Sequence, residues 1–103
     1  MTEPQPPELD PVIHAQARLR VVVALSVLRE GDRMAFPRLK DLLGMTAGNL
    51  SVHLRKLEDA GYVVIDKTFV GKKPLTRISL TDQGRRAFVD YLDAMARLVN
   101  PNS

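Results

Sequence analysis

The chain has 103 residues, no cysteine and a formal net charge of +3, which results from 15 basic and 12 acidic side chains. This length predicts one small domain, and the absence of cysteine excludes a disulfide framework, a thiolate zinc site and a cysteine nucleophile. The N-terminal segment is polar and acidic rather than signal-like, and the longest apolar run, residues 21–25, is far shorter than the roughly 20 residues that span a bilayer. We therefore expect a cytoplasmic protein that does not contact a membrane.

Positive charge is concentrated late in the chain. Residues 61–80 contain Lys67, Lys72, Lys73 and Arg77 but only one acidic residue, Asp66. A basic cluster on one element is typical of a surface that binds a polyanion such as nucleic acid. The same lysines can also serve only to keep an exposed segment soluble, so charge alone does not decide between these interpretations.

The N-terminal third is predicted to contain a tail and one long helix. Residues 1–9 contain three prolines and no apolar period, which predicts a disordered tail. Asp10 is a favourable N-cap, Pro11 suits the first helical position, and no helix breaker follows before Glu30, where we expect the helix to end. Its middle, residues 21–25, is apolar on every side, and such a helix has to be buried on every side. We therefore expect one face to pack on the chain's own core and another on a second subunit.

Two helices joined by a tight turn are predicted next. Residues 36–43 place apolar side chains on one face of a short helix, and Gly44 is suited to end it. Thr46 is a favourable N-cap for a longer helix over residues 47–60, which ends at Gly61. The core face of that helix is formed by leucines at i, i+4 and i+7, namely Leu50, Leu54 and Leu57. This order of elements predicts a helix-turn-helix.

The rest of the chain predicts a β-hairpin and a last helix. Residues 62–69 are rich in valine, isoleucine and aromatic residues, residues 70–74 form a turn, and residues 75–81 alternate in polarity. Thr81 is suited to cap a helix that ends before Asn100. Along this helix, apolar side chains recur at i, i+4, i+7 and i+11, namely Phe88, Leu92, Met95 and Val99.

A helix-turn-helix followed by a hairpin has the order of a winged helix, in which the third helix suits the major groove of DNA. Opposite its leucines, the third helix starts with small and polar residues, so a DNA backbone can approach closely. Arg55 can form bidentate hydrogen bonds to guanine, Asn49 can contact adenine or a phosphate, and Val52 can contact a thymine methyl group. Lys72 and Lys73, at the predicted hairpin tip, suit phosphates or a narrow minor groove.

The segment 46–63, Thr-Ala-Gly-Asn-Leu-Ser-Val-His-Leu-Arg-Lys-Leu-Glu-Asp-Ala-Gly-Tyr-Val, resembles the recognition helix of MarR-like and ArsR-like bacterial regulators. Residues 67–74, Thr76 and residues 80–84 continue the resemblance in the same order, and it covers about residues 10–99. The resemblance implies a mainly α fold with a small β-sheet (α+β), a winged helix-turn-helix whose long first and last helices form a dimer interface. ArsR-like metal sensors rely on cysteines, which this chain lacks, and larger MarR-like proteins have an extra helix at their effector pocket.

We therefore predict a homodimeric transcription regulator that binds double-stranded DNA sequence-specifically, and we favour repression because a protein on a promoter excludes polymerase. The domain is expected over residues 10–99, with a recognition helix over residues 46–60 in the major groove and a wing over residues 62–81 on the flanking backbone or minor groove. No cofactor or metal is predicted, an effector is left open, and residues 100–103 form a tail. The predicted DNA contacts are Thr46, Ala47, Gly48, Asn49, Ser51, Val52, Arg55, Lys56, Lys67, Lys72, Lys73 and Arg77. The predicted dimer contacts are Val12, Ile13, Leu19, Val23, Phe88, Tyr91, Leu92, Met95, Leu98 and Val99.

Other interpretations of the same residues remain open. Arg55 and Lys56 can belong to an ordinary solvated helix face, and Asn49 can act only in the local chemistry of the helix start. Without cysteine, His14 and His53 make a poor metal site, and His53 is favoured as a packing or hydrogen-bonding group. The sequence lacks a phosphate-binding glycine loop and the motifs of serine hydrolases and metalloproteases, so no enzyme is predicted. The main rival is a winged-helix module that binds a protein instead of DNA.

Overall fold

A computed structural model describes residues 7–102 of the chain. Within this range it contains four helices and a three-stranded antiparallel sheet, which confirms the predicted mainly α fold with a small sheet, and none of these helices is long and apolar enough to cross a membrane. The elements are α1 (Gln16–Ser26), β1 (Met34–Ala35), α2 (Phe36–Leu43), α3 (Ala47–Asp59), β2 (Val63–Val70), β3 (Lys73–Leu80) and α4 (Asp82–Val99). Most of the predicted N-terminal tail, residues 1–6, and the final residue of the predicted C-terminal tail lie outside the described residues.

The first helix is much shorter than predicted. The carboxylate of Asp10 does accept hydrogen bonds from the backbone N–H groups of Val12 and Ile13, at 2.8 and 3.3 Å, as an N-cap would. This cap supports only one turn, because Ala15 adopts an extended conformation with φ −141° and ψ 126°, and α1 begins after it at Gln16. The prediction of one long, unbroken first helix from Asp10 onward is therefore wrong.

The other end of α1 is in contact with the last helix. α1 ends at Ser26 rather than at Glu30, and the guanidinium of Arg85 on α4 donates hydrogen bonds to the carbonyl oxygens of Ser26 and Leu28, at 3.5 and 3.2 Å. Carbonyl groups at a helix C-terminus have no partner within the helix, so this contact satisfies them and stabilises the early ending. No local feature of the sequence signals a partner 59 residues away.

The helix-turn-helix forms as the sequence predicts. α2 ends at Gly44, which has a φ of 64° in the left-handed conformation that glycine readily adopts after a helix. Two residues later, the Thr46 hydroxyl accepts a hydrogen bond from the backbone N–H of Asn49 at 3.1 Å and so caps α3. The predicted bounds of α2 are confirmed, and α3 ends one residue before the predicted position.

The sheet has one strand more than the sequence predicts. Met34 and Ala35 form β1, which pairs antiparallel with Ile78 and Arg77 of β3, so the strand order is β1–β3–β2. A two-residue strand has no polarity pattern of its own, and only its pairing with β3 defines it. The predicted two-stranded hairpin is therefore corrected to a three-stranded sheet, with Met34 buried beside Ile78 in the core.

The hairpin between β2 and β3 is tighter than predicted. Gly71 and Lys72 alone form its turn, where the sequence predicts a turn over residues 70–74. Gly71 has a φ of 64° and is the only residue of the turn with a positive φ, as in a type II′ hairpin turn. Pro74 is tolerated in β3 because β1 does not reach this part of the strand, so its missing N–H group leaves no sheet partner unsatisfied.

The core lies between the helix-turn-helix and the sheet. α3 contributes Leu50, Leu54 and Leu57, which are all at most 2 % exposed, as predicted. α1 and the sheet add further fully buried side chains, namely Val21, Val22, Leu25 and Ile78. Because one face of α3 is committed to this core, its opposite face is left to solvent.

The last helix, α4, is only partly attached to the core. Its start is fixed by Thr81, whose hydroxyl accepts a hydrogen bond from the N–H of Gly84 at 2.9 Å and donates one to the Gly61 carbonyl at 2.6 Å. Beyond this turn, Tyr91 is the one buried side chain of α4, and Leu92 beside it is 50 % exposed. The apolar face of α4 is thus open along much of its length.

A hydrogen bond ties the N-terminal segment to the first residue of the wing. The Tyr62 hydroxyl donates to the carboxylate of Asp10. This hydrogen bond, followed by partial burial and the charge of Asp10, raises the pKa of Tyr62 to about 12. Since the folded pKa lies above the ordinary value of 10, the bond stabilises the fold below pH 10, and that contribution is lost as the pH rises through 12.

Replacement of Asp10 by asparagine is expected to lower the pKa of Tyr62 back toward 10, because the variant removes the charged acceptor. An absorbance titration of the phenolate measures this change, and a Tyr91→Phe background leaves Tyr62 as the one tyrosine that titrates. An unchanged titration in the asparagine variant would show that the hydrogen bond does not persist in solution.

Candidate nucleic-acid interface

α3 presents a continuous exposed surface opposite its buried leucines. Asn49, Ser51, Arg55 and Lys56 are exposed, and Val52 between them is 54 % exposed. An exposed valine among polar and cationic side chains suits a helix that contacts base edges, since it can pack on a thymine methyl group. The structure therefore leaves these five predicted DNA-contacting side chains of α3 exposed to solvent.

The first turn of α3 leaves room for a close approach. Thr46, Ala47 and Gly48 are exposed, and a Cβ atom added at Gly48 would meet no atom within 4 Å. The Thr46 hydroxyl occupies the N–H group of Asn49, and the first N–H groups of the helix have no partner within it. A phosphate that approached this positive end of the helix dipole would meet backbone donors and no bulky side chain.

The wing lies beside α3 across a groove. On the sheet face toward α3, Lys67 lines a cleft of about 330 Å³ together with Ser51, Leu54 and Thr76. Lys67 also lines a second cleft with Arg55. The packing of α3 against β2 thus brings together three predicted contacts, Ser51, Arg55 and Lys67, that are separate in the sequence.

Two further predicted contacts, the tip lysines Lys72 and Lys73, lie at the tip of the wing. Both are exposed, and neither they nor Lys67 form an ion pair with any residue that the structure describes. The chain has no acidic side chain between residues 67 and 81. An anion that binds the tip lysines therefore does not have to compete with a carboxylate near the tip of the wing.

Arg77 is not part of this surface. Its register partner in β2 is Asp66, so it lies on the sheet face opposite Lys67, and its guanidinium donates to the Asp66 carboxylate at 3.2 Å. Arg33, which the sequence does not single out, donates to the same carboxylate from 33 residues away. The position of Arg77 therefore does not support the prediction that it contacts DNA together with α3, because the sheet and this ion pair separate it from that helix.

The two histidines lie in separate parts of the structure, His53 on α3 and His14 before α1. His53 is half-buried on α3, and its Nδ1 atom is buried without a hydrogen-bond partner among the described residues. Burial, followed by the charges of Arg18 and Lys56, lowers the pKa of His53, so the ring is neutral at neutral pH. His14 shares a hydrogen bond with the Tyr91 hydroxyl, at 3.0 Å from its Nδ1 atom. No group of three or more His, Cys, Asp and Glu side chains within residues 7–102 is placed to hold a metal ion.

The predicted dimer contacts divide by burial. Ile13 is fully buried and Tyr91 is nearly so within their own chain, so these two can support an interface but cannot form its surface. Four others are partly buried, namely Val12, Leu19, Phe88 and Met95. The remaining four are between 41 and 75 % exposed and leave apolar surface on α1 and α4, namely Val23, Leu92, Leu98 and Val99.

Comparison with known proteins agrees with this architecture. The chain is 32 % identical over 87 residues to an uncharacterized protein, MJ0432, of Methanocaldococcus jannaschii, and the match covers 84 % of this chain and 91 % of that protein. The solved structure of a transcriptional regulator homologue from Pyrococcus horikoshii superposes with a TM-score of 0.77 at 24 % identity, and the match covers 87 % of this chain and 86 % of that one.

A protein solved on DNA shares the fold. The structure of overoxidized AbfR bound to DNA superposes with a TM-score of 0.68 at 21 % identity, and the match covers 84 % of this chain and 60 % of the longer AbfR chain. At such identities, solved structures show similarity of fold alone. Residues 17–99, which include the helix-turn-helix and the wing, match a family model described as a winged helix DNA-binding domain. The chain therefore belongs to the winged helix DNA-binding domain family.

Proposed function

We propose that the protein is a repressor that binds double-stranded DNA sequence-specifically as a homodimer and excludes polymerase from the promoter it occupies. The observation that carries this proposal is that the exposed face of α3 and the face of the wing that bears Lys67 border one groove. A helix and a hairpin placed side by side can contact the major groove and the adjoining backbone of one duplex together. In this proposal, residues 10–99 form one DNA-binding and dimerisation domain.

The helix α3 enters the major groove with its first turns. Arg55 donates two hydrogen bonds to guanine, Asn49 contacts adenine or a phosphate, and Val52 packs on a thymine methyl group. The exposed helix start at Thr46 holds a phosphate through backbone N–H groups. The other exposed cations of this surface contact phosphates, namely Lys56, Lys67, Lys72 and Lys73.

A second copy of the chain is the partner that we propose for the apolar surface of α1 and α4. Leu92, Leu98 and Val99 expose large apolar side chains on α4, and Val23 does so on α1. Burial of such surface at a two-fold interface contributes about 25 cal/mol per Å² of apolar area removed from water, which offsets the entropy lost on association. The two α3 helices then enter successive major grooves about 34 Å apart.

Selection of bound duplexes from a random pool tests this function. We expect enrichment of an inverted repeat whose half-site centres lie about 10 base pairs apart, because each subunit reads one half-site. Retention of DNA without enrichment of any sequence would contradict sequence-specific binding. A folded protein that retains no DNA would instead favour a winged-helix module that binds another protein.

Replacement of Arg55 by alanine is expected to relax the base preference at one position of each half-site, at a cost of about 1–3 kcal/mol, because a bidentate contact is lost. Repeated selection with the variant measures this change. Lys56→Ala is the matched control, and it should weaken binding to all sequences alike. If Arg55→Ala also weakened binding to selected and scrambled duplexes equally, Arg55 would not read bases.

Replacement of Leu92 by glutamate is expected to convert the dimer to a monomer, because an unpaired carboxylate is costly to bury at an apolar interface. Light scattering measures the molar mass of both proteins. Val64→Glu introduces the same charge at an apolar position on the outer face of the sheet that is 45 % exposed, and it should leave the mass unchanged. A dimeric mass for Leu92→Glu would exclude this face of α4 from the interface.

A further inference from the structure

An exposed phenylalanine near the tip of the wing is not explained by packing within the chain. Phe69 is 70 % exposed and is separated from the Gly71–Lys72 turn by Val70 alone. In β2 and β3 the buried residues are confined to the opposite end of the hairpin, namely Val63, Ile78 and Leu80. Phe69 therefore lies beyond the core, and its ring is available to a partner.

Phe69 is on the side of the wing that borders α3. Alternate residues of a strand share a face, so Phe69 shares its face with Lys67, which lines the groove next to Ser51. Val70, although also exposed, lies on the opposite face. A duplex that lies against the outer surface of α3 therefore meets Phe69 and not Val70.

The surroundings of Phe69 suit nucleic acid as this partner. Lys67 lies two residues away on the same face, Lys72 lies in the turn, and Lys73, the register partner of Val70, follows the turn on the opposite face. No acidic side chain occurs between residues 67 and 81. A two-stranded ribbon is too wide to enter the minor groove of B-DNA, which is about 6 Å wide, but one side chain near its tip can do so. The two-residue turn with Gly71 keeps the tip narrow, and its lysines suit the phosphates that border that groove.

We propose that Phe69 is an apolar wedge that each wing inserts into the minor groove of the bound duplex. A side chain inserted in this way partly unstacks a base step and bends the DNA toward the major groove. The inference rests on the proposed DNA binding and extends it, because it adds a preference for easily deformed pyrimidine–purine steps at the flanks of the site. Phe69 therefore acts on DNA shape, while Arg55 acts on base edges.

The test compares Phe69→Ala with the wild type on the selected duplex. Fluorescence anisotropy measures affinity across a salt series, and energy transfer between dyes on the two DNA ends measures bending. We expect roughly tenfold weaker binding and a smaller bend, with an unchanged salt slope because the variant keeps every lysine. Phe69→Leu keeps an apolar wedge and should retain most of the bend, whereas Val70→Ala, the control at the same tip, should match the wild type.

The outcomes separate the wedge from the function on which it rests. Equal affinity and equal end-to-end distance for Phe69→Ala and the wild type would overturn the wedge and leave DNA binding intact. A wild-type protein that binds no duplex would overturn the proposed function itself. Vesicles of phosphatidylserine and phosphatidylcholine serve as a second probe. If Phe69→Ala abolished binding to them but not to DNA, the ring would belong to a membrane contact, and the wedge would be wrong.

Discussion

Replacement of both tip lysines, Lys72 and Lys73, by alanine is expected to weaken binding to every duplex by roughly 100-fold at about 0.1 M salt. Both side chains are exposed at the end of the wing, and neither forms an ion pair with another described residue. Each phosphate contact contributes about 0.9 to the slope of log affinity against log salt concentration. The slope should therefore become less steep by at least about 2 in the double variant.

Anisotropy titrations of one duplex at several salt concentrations measure both effects. The double variant Arg29→Ala and Arg86→Ala removes the same charge from exposed positions outside the proposed surface, and it should keep the wild-type slope. If the lysine variant kept that slope as well, the wing would not touch the DNA backbone. Because phosphate contacts carry no sequence information, the order of preference among duplexes should not change in either variant.

Replacement of Gly84 by alanine is expected to destabilise the fold by at least about 2 kcal/mol, since it forces an extra atom into a filled space. The added Cβ would lie 2.1 Å from the carbonyl oxygen of Tyr62. That oxygen also accepts a hydrogen bond from the backbone N–H of Thr81 at 3.0 Å, so it cannot move away without breaking this hydrogen bond. The start of α4 would have to shift from the sheet, which would also disturb the Thr81 cap.

Gly48 provides a matched control, because it too lies in the first turn of a helix. A Cβ there meets no atom within 4 Å, so Gly48→Ala should stabilise α3 by roughly 0.5–1 kcal/mol. Denaturant unfolding of both variants gives the two free energies. Wild-type stability for Gly84→Ala would contradict the close approach of α4 to Tyr62. The Gly48 variant should nevertheless bind DNA more weakly, because its methyl group lies on the proposed groove-facing side.

The helix-turn-helix is predictable from sequence because its signals act within one or two turns of chain. Gly44 ends α2 through its own φ, and Thr46 caps α3 through the N–H group three residues later. The leucine spacing of α3 then determines which face is buried and so which face is exposed. The side chains proposed to read bases could be named for the same reason.

The elements that the sequence did not reveal depend on contacts between distant residues. β1 exists only through its pairing with β3, and the C-terminal end of α1 is stabilised by Arg85 from α4. Arg77 shares the positive charge of the wing in sequence, but strand alternation and Asp66 place it on the other face. The positions of the charged residues in the sequence do not show the register of the strands or the ion pair between Arg77 and Asp66.

We propose that α3 and the wing form one surface that reads double-stranded DNA. Anisotropy of the wild type on the duplex upstream of its own coding region, and on a scrambled duplex of the same composition, tests this claim across a salt series. Each subunit has five exposed cations on α3 and the wing, namely Arg55, Lys56, Lys67, Lys72 and Lys73. If half of the cations in a dimer contact phosphates, about five contacts form, and the slope of log affinity against log salt concentration is near −4.5. We predict this slope, and we predict that the protein binds the upstream duplex, or the duplex selected from the random pool, more tightly than the scrambled duplex. No binding at low salt by a folded dimer, or equal binding to all three duplexes, would contradict the claim.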